Sequence, residues 1–538
     1  MTQPLDENKA EMVQLEEMDP VNKRMDRDQS IIPVSAFADM PTGQALRKFW
    51  RLTLWGMAAS IGGMYLGFTL AVPGSIVANK GFIDQFGTVK DPVTGVLALN
   101  ATYVAVWGGT TFAAQVVFQA LSPFTADRFG VKMNLYLFTF WMTAAIITEI
   151  LSKNWIAYLF AKIFSGAACG YIGTGIMTYL TEITMPQTRG AIGSVFSVWW
   201  KLGSLFGAVG LDILNTTAPL QFRRAFYSEF VLVGIWALPV IFLPETPLWL
   251  CRQGKHEQAK KSLKFLIGKV EGYDLDHEYE CIKWQVHESK LVQERYSESA
   301  WKAFFKWGNL RRGLIATMPF TMQNFSGGAL TNGYTTYFLQ LAGLTNAFQG
   351  TVILYSIEIV ALIAAVYMVE KVGRRPLVLI GTAGCGICML LIGALANVKV
   401  TTASSSGLIV ICSAWELFYG SSLSPIGWIF IAEVSTLALK AKTTAFAVIV
   451  QSLSGLLFSY TVPLMLSNQD ANWGERTGFL FAGTCFIWLV VAYFYLPETK
   501  GRTFADLDDL FERKIPLRKF HKTKTMAQEQ MEGLVTAA

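Results

Sequence analysis

Three short strings in this chain occur twice, separated by about 250 residues. Asp127-Arg128-Phe129-Gly130-Val131-Lys132 matches Glu370-Lys371-Val372-Gly373-Arg374-Arg375, so the two glycines stand 373 − 130 = 243 residues apart. Glu182 is followed by Arg189, and Glu433 by Lys440, each at a spacing of seven, with 433 − 182 = 251. Pro244-Glu245-Thr246 returns as Pro497-Glu498-Thr499, with 497 − 244 = 253. Nearly equal offsets in three different strings mean duplication. A chain built this way folds as two copies of one plan.

Composition says what kind of unit was duplicated. Hydrophobic residues make up 52% of the chain and charged residues 16%, against about 25% charged in a typical soluble domain. The 46 glycines suit membrane helices that pack closely. Twelve apolar runs of bilayer length can be read, at about 53–78, 101–121, 134–151, 155–180, 190–212, 225–243, 313–340, 349–369, 376–395, 406–431, 442–466 and 477–496. Hydrocarbon offers the backbone no hydrogen-bond partner, so all twelve are expected to be helices. The expected divisions are an N-terminal tail at 1–49, a first bundle at 50–243, a linker with short amphipathic helices at 244–312, a second bundle at 313–496 and a C-terminal tail at 497–538. The tail at 1–49 reads as lacking structure, and the last segment opens with a helical pattern.

Charge orients the spans. With the N-terminus in the cytoplasm, the inner loops hold Arg128, Lys132, Arg189, Lys371, Arg374, Arg375 and Lys440, against the outer exceptions Arg223 and Arg224. Two glycosylation sequons, at Asn100 and Asn215, fall in expected outer loops. The basic residues form no single patch, which argues against nucleic-acid binding. The seven cysteines have neither metal-ligand nor disulfide spacing, and most sit in apolar stretches as packing residues. No catalytic triad, metal cluster or phosphate loop is present in the pattern, so neither an enzyme nor a cofactor is expected. No cleavable leader is read in the polar first fifty residues.

The repeated strings place Asp127, Arg128, Glu182, Arg189, Glu370, Arg374, Arg375, Glu433 and Lys440 at inner helix ends. Carboxylates and arginines there can pair between neighbouring helices and act as a latch on an inner gate. The seventh run is polar for a membrane span, with Gln323, Asn324, Ser326, Asn332, Tyr334, Thr335, Thr336 and Tyr337. Such side chains at membrane depth are costly unless they face a cavity or another helix.

The pattern resembles the sugar porter family of the major facilitator superfamily. The residues that carry it are Asp127 to Gly130, Tyr179-Leu180-Thr181-Glu182 with Arg189-Gly190, Pro244-Glu245-Thr246 through Leu250, Gly373-Arg374-Arg375-Pro376-Leu377 and Pro497-Glu498-Thr499 through Thr503. Gln323-Asn324-Phe325-Ser326-Gly327 and Asn472-Trp473-Gly474-Glu475-Arg476 are similar to the alpha-glucoside permease branch of fungi. The resemblance implies an all-α membrane protein of twelve transmembrane helices in two pseudo-symmetric six-helix bundles, working as a monomer in the plasma membrane. It implies a sugar held at mid-membrane by Gln323, Asn324, Tyr334 and Trp428, to which the polar seventh run adds Asn332, with protons as a further partner.

The chain departs from that pattern where the family couples to protons. Gly67-Phe68-Thr69 stands where proton-coupled members have an aspartate, and Lys162 replaces the arginine that partners it. Ala329 and Ser197 replace further polar residues. Extra ionisable groups, Lys201, Glu229, Glu358 and Glu416, fall inside the spans. Lys201 and Glu229 are expected to pair, and Glu229, Glu358 or Glu416 is a candidate for the missing proton carrier. A carrier of another small molecule and a sugar-sensing receptor remain alternatives.

Overall fold

The computed structural model describes residues 35–37, 40–90, 95–185, 188–296, 300–344, 346–398, 402–435, 439–500, 502 and 504–525. The side chains of Glu370 and Lys440 lie outside the described set.

Six long helices form each half. The first half comprises α1 (Trp50–Ile76), α2 (Ala101–Phe129), α3 (Val131–Leu151), α4 (Trp155–Ile183), α5 (Arg189–Thr217) and α6 (Arg223–Phe242). The second comprises α7 (Trp307–Gln323, then a wide π-helical segment Asn324–Gly333, then Thr335–Leu341), α8 (Ala347–Val372) and α9 (Arg374–Leu395). It continues with α10 (Thr402–Phe418, a wide turn Tyr419–Leu423, then Ser424–Val434), α11 (Lys440–Leu466) and α12 (Thr477–Tyr495). Among the described residues, ten helices are long and apolar enough by themselves to cross a membrane. The other two expected spans lie on α5, which carries Lys201 and Asp212, and on the interrupted α7. The run at 313–340 is therefore broken, at Gly327, whereas 406–431 is a continuous helix with one wide π turn at Tyr419–Leu423. A two-stranded antiparallel sheet, β1 (Val89–Lys90) with β2 (Leu97–Ala98), decorates the α1–α2 connection.

Small residues let the helices meet backbone to backbone. A Cβ added at Gly67 of α1 would lie 1.9 Å from the Trp200 carbonyl oxygen of α5, and one at Gly203 of α5 would lie 1.9 Å from that of Met64. Nothing but glycine fits either place, and the pair fixes α1 against α5.

The three duplicated strings meet in space in each half. Gly130, between α2 and α3, has φ +107°, and Gly373, between α8 and α9, has φ +102°. This is backbone that glycine adopts without strain. The Glu245 carboxylate lies over Gly130 and accepts from the backbone N–H of Lys132 at 3.2 Å and Thr246 at 3.0 Å. Glu498 lies over Gly373 and accepts from the backbone N–H groups of Arg374 and Arg375 at 3.0 and 3.1 Å. Each carboxylate thus serves the unpaired N–H groups at a helix start. Thr246 Oγ1 donates to Glu182 at 2.7 Å, and Thr499 Oγ1 donates to Glu433 at 2.6 Å.

Between the halves run short helices at Pro247–Arg252, His256–Ile267, Leu275–Tyr296 and Ala300–Phe305. The reading of 1–49 as structureless is overturned for its last part: Thr42–Lys48 is helical, and Ser35 Oγ donates to Glu278 at 2.9 Å. After α12, a helix at Phe504–Glu512 places Asp508 2.5 Å from Arg312 of α7, whose Nε donates to the Val434 carbonyl of α10 at 2.6 Å.

Candidate functional site

The interruption of α7 builds the site. Gly327 takes φ +99°, with Met389 packed where a Cβ would project. The widened turn loosens the regular hydrogen-bond ladder, and fixed donors bind its carbonyls. Trp415 Nε1 donates to Ser326 O at 3.0 Å, and Thr484 Oγ1 to Phe325 O at 2.6 Å. This is how broken backbone is tolerated at membrane depth, satisfied by neighbours and lining a cavity.

That cavity has a volume of about 320 Å³ and is lined by both halves. It includes Thr69, Lys162, Trp200 and Lys201 from the first half, and Gln323, Asn324, Asn332, Tyr334 and Trp428 from the second. All five side chains expected at the site are therefore brought together. Their hydrogen-bonding sense is set by what they already touch. Gln323 Nε2 donates to Leu423 O at 2.9 Å and Ser424 O at 3.1 Å, at the wide turn of α10. Asn324 Nδ2 donates to Gln451 O at 2.8 Å and Ser454 Oγ at 2.7 Å. Each amide has two N–H donors, and both are engaged, so each offers a ligand its carbonyl oxygen. Asn332 is the reverse: its Oδ1 accepts from Lys201 at 3.4 Å, while its buried Nδ2 has no partner among the described residues. Tyr334 differs from expectation, because its hydroxyl donates to Ser459 O at 2.9 Å, leaving its ring to the cavity. Trp428 packs on Phe320, ring centroids 4.5 Å apart.

The buried charges are paired differently from the sequence expectation. Lys201 of α5 does not meet Glu229; its Nζ is 2.5 Å from Glu358 of α8, in the other half. Position along α5 alone could not reveal this, because the partner belongs to a helix docked from the second bundle. Glu229 is buried on α6, within electrostatic reach of Glu149 and Lys162. Lys162 pairs with Glu149 of α3 at 2.6 Å. Sequence reasoning missed Glu149, although a carboxylate in an otherwise apolar run was the available signal. Glu416 is fully buried on α10, and neither of its carboxylate oxygens has a hydrogen-bond partner among the described residues. Thr69 donates to the Tyr65 and Leu66 carbonyls of its own helix, at 3.0 and 3.1 Å.

At the inner side, taken as the side carrying Gly130 and Gly373, Arg374 pairs with Glu433 at 2.8 Å. Glu182 has Arg252 at 3.9 Å, and Arg189 is within electrostatic reach of Glu182. Arg375 donates to the Tyr493 carbonyl at 2.7 Å. Asp127 and Arg128 form no ion pair with the described residues; the Asp127 backbone oxygen instead accepts from Trp249 and Gln253, each at 3.2 Å. The second bundle has Arg374 where the first has Val131, which removes one arginine from the first-half version of the motif. Asn100 caps the start of α2, and Asn215 lies in the last turn of α5 rather than in a loop.

Polar contacts between the halves have a clear distribution. Gln469 Nε2 donates to Leu99 O at 2.9 Å, and Gln340 Nε2 to Ala78 O at 3.3 Å, both at the outer helix ends. Ser452 donates to Gln119 at 2.9 Å nearer the middle. Among the described residues neither inner ion pair crosses from bundle to bundle: Arg374 with Glu433 lies within the second, and Glu182 faces Arg252 of the linker.

A model of the family described as sugar (and other) transporter matches residues 55–511. The chain belongs to this family. Its fold is the twelve-helix major facilitator fold, and it is a multi-pass membrane transporter. A general alpha-glucoside permease of Saccharomyces cerevisiae is 27% identical over 497 residues, covering 90% of this chain and 79% of the permease. A maltose permease of the same yeast is 26% identical over 494 residues, covering 90% of this chain and 80% of its own. Among solved structures, the inward-open xylose transporter XylE from E. coli superposes with a TM-score of 0.68 at 18% identity, over 85% of this chain and 99% of that one. Its partially occluded inward-open form gives 0.66 at 20% identity, over 85% of this chain and 100% of that one.

Proposed function

We propose that the transporter carries a neutral glucoside or small oligosaccharide, held between the halves by Gln323, Asn324 and Asn332 and stacked on Trp428. The observation that carries this is the pair of amides, Gln323 and Asn324, whose N–H groups are engaged by the protein and whose oxygens are left to a ligand. Two fixed acceptors suit a polyol, whose hydroxyls donate to them, while the aromatic ring suits its C–H face. The yeast relatives named for alpha-glucosides and maltose support the same class.

Charge favours a neutral ligand over an organic acid. Both cavity lysines, Lys162 and Lys201, already face a carboxylate at 2.6 and 2.5 Å. An anion would have to displace a buried pair that is costly to break. The ion pairs at the inner helix ends, Arg374 with Glu433 and the cluster around Glu182, would exchange partners as the halves rock.

Uptake in a strain lacking its own sugar carriers tests the reading. Labelled maltose, lactose, cellobiose, glucose and organic acids are offered at two pH values. Uptake of a glucoside supports it; uptake confined to the acids replaces it with a carrier of anions. Gene induction by sugar without uptake replaces it with a receptor.

A further inference from the structure

One ion pair in the cavity crosses from one bundle to the other. Lys201 Nζ on α5 lies 2.5 Å from Glu358 Oε1 on α8, with side chains 17% and 1% exposed. Glu416 of α10 is within electrostatic reach of both. It stands four residues before Gly420, where an added Cβ would come within 3.3 Å of Glu358 Cγ, so this stretch of α10 packs on the Glu358 side chain. The charged and titratable groups facing Glu358 are Lys201 from α5, Glu416 and Tyr419 from α10, and Tyr355 from α8 itself. From α7 comes the neutral Asn332, whose Oδ1 accepts from Lys201 and whose backbone oxygen accepts from the Tyr355 hydroxyl at 3.1 Å.

The charges do not balance. One ammonium serves two buried carboxylates, and an uncompensated charge in a site of low dielectric is expensive. A single proton restores neutrality. The first bundle holds a cluster of the same stoichiometry in Lys162, Glu149 and Glu229. Its members all belong to one half, so rocking leaves them together. Lys201 and Glu358 are separated whenever the halves part along α5 and α8.

We propose that Lys201, Glu358 and Glu416 form a proton-binding site shared between the bundles, which ties proton movement to the alternation of the halves. The proposal rests on the reading of the chain as an alternating-access carrier. In the present conformation the halves are joined at their outer ends, Lys201 neutralises Glu358, and Glu416 holds a proton. Opening outward draws α5 from α8. Glu358 loses its cation and takes a proton from water on the outer side, forming one O–H bond, while the Lys201 ammonium turns to Asn332 and to hydroxyls of the sugar. Closing outward restores the pair and returns that proton to water on the inner side. One proton travels inward per cycle with the sugar, and no oxidant or further reactant is required.

The full-length protein in vesicles tests this with labelled maltose and a one-unit pH gradient, acid outside. One proton per sugar gives about tenfold accumulation at equilibrium. Glu358→Gln is expected to bring the accumulation ratio to about one, a thermodynamic change read even where exchange is slowed. An unchanged ratio in Glu358→Gln, or no accumulation by the wild type in vesicles that exchange maltose, overturns the proposal. Absence of maltose exchange in the wild type would instead count against the substrate reading. The proton site is then decided without sugar, by infrared spectroscopy of the purified protein at neutral pH. The carbonyl stretch of protonated carboxyls is expected in the wild type, with a share from the Lys162 cluster, and its Glu416 component is expected to vanish from the difference spectrum between wild type and Glu416→Gln; a band absent from the wild type, or of the same intensity in that variant, overturns it.

Discussion

Gln323 of α7 reaches across to α10 and donates to the Leu423 carbonyl at 2.9 Å. The broken α7 and the widened turn of α10 are thus joined by the side chain expected to receive the sugar. Its amide is oriented by that contact and by Ser424 O at 3.1 Å.

Gln323→Ala removes a fixed acceptor from the cavity and leaves two buried carbonyls with one partner fewer. A net hydrogen bond contributes about 1 kcal/mol, which corresponds to roughly a fivefold rise in KM for uptake. Concentration-dependent uptake of labelled maltose measures it. An unaltered apparent affinity removes Gln323 from the site.

Thr69→Ala is expected to leave the pH profile of uptake as it is in the wild type. The hydroxyl bonds back to the Tyr65 and Leu66 carbonyls of α1 and has no charge to gain or lose near neutrality. Any pH dependence must come from elsewhere. A profile that shifts with this substitution would return proton handling to the first helix.

Gly373→Ala is predicted to destabilise by about 1–3 kcal/mol. The backbone is at φ +102°, and the new Cβ would come within 2.7 Å of Glu498 Oε2. Gly130→Ala, at φ +107° and 2.2 Å from Glu245 Oε2, is expected to cost a similar amount. Thermal unfolding in detergent compares the two. A large cost at one glycine with none at the other would contradict the equivalence of the two turns.

Burial raises the Glu245 carboxyl above its ordinary value, despite the opposing N–H bonds from Thr246 and Lys132. The folded state then holds this proton to higher pH than the unfolded chain does. The contribution of Glu245 to stability therefore declines as pH rises from the ordinary carboxylate value through the raised one, and is level above it. Glu245→Gln should flatten that part of the stability profile. Unfolding temperatures at a series of mildly acid pH values measure the slope.

Much of this was legible in the chain because repetition and misplaced polarity are visible in one dimension. The offsets between Gly130 and Gly373, and between Glu182 and Glu433, identified positions that do equivalent work at the helix ends. Gln323 and Asn324 stood out as amides in an apolar run. The partner of Lys201 did not, since Glu358 is 358 − 201 = 157 residues away and reaches it only when the bundles dock. Glu149 was overlooked beside Lys162 for a related reason: the two face each other across α3 and α4, and no repeat marks them. The widening of α7 had a local cue in Gly327-Gly328, but an apolar run of sufficient length reads as a plain helix.

The bent stretch of α7 is tacked down at Phe325 and Ser326 by Thr484 and Trp415, so its shape precedes any visitor. A mould prepared in advance saves an arriving molecule the entropy of ordering its walls. It also makes the fit unforgiving. Two sugars that differ in the direction of one hydroxyl would present different edges to the amides this segment carries, and the place of those amides is set before either is met.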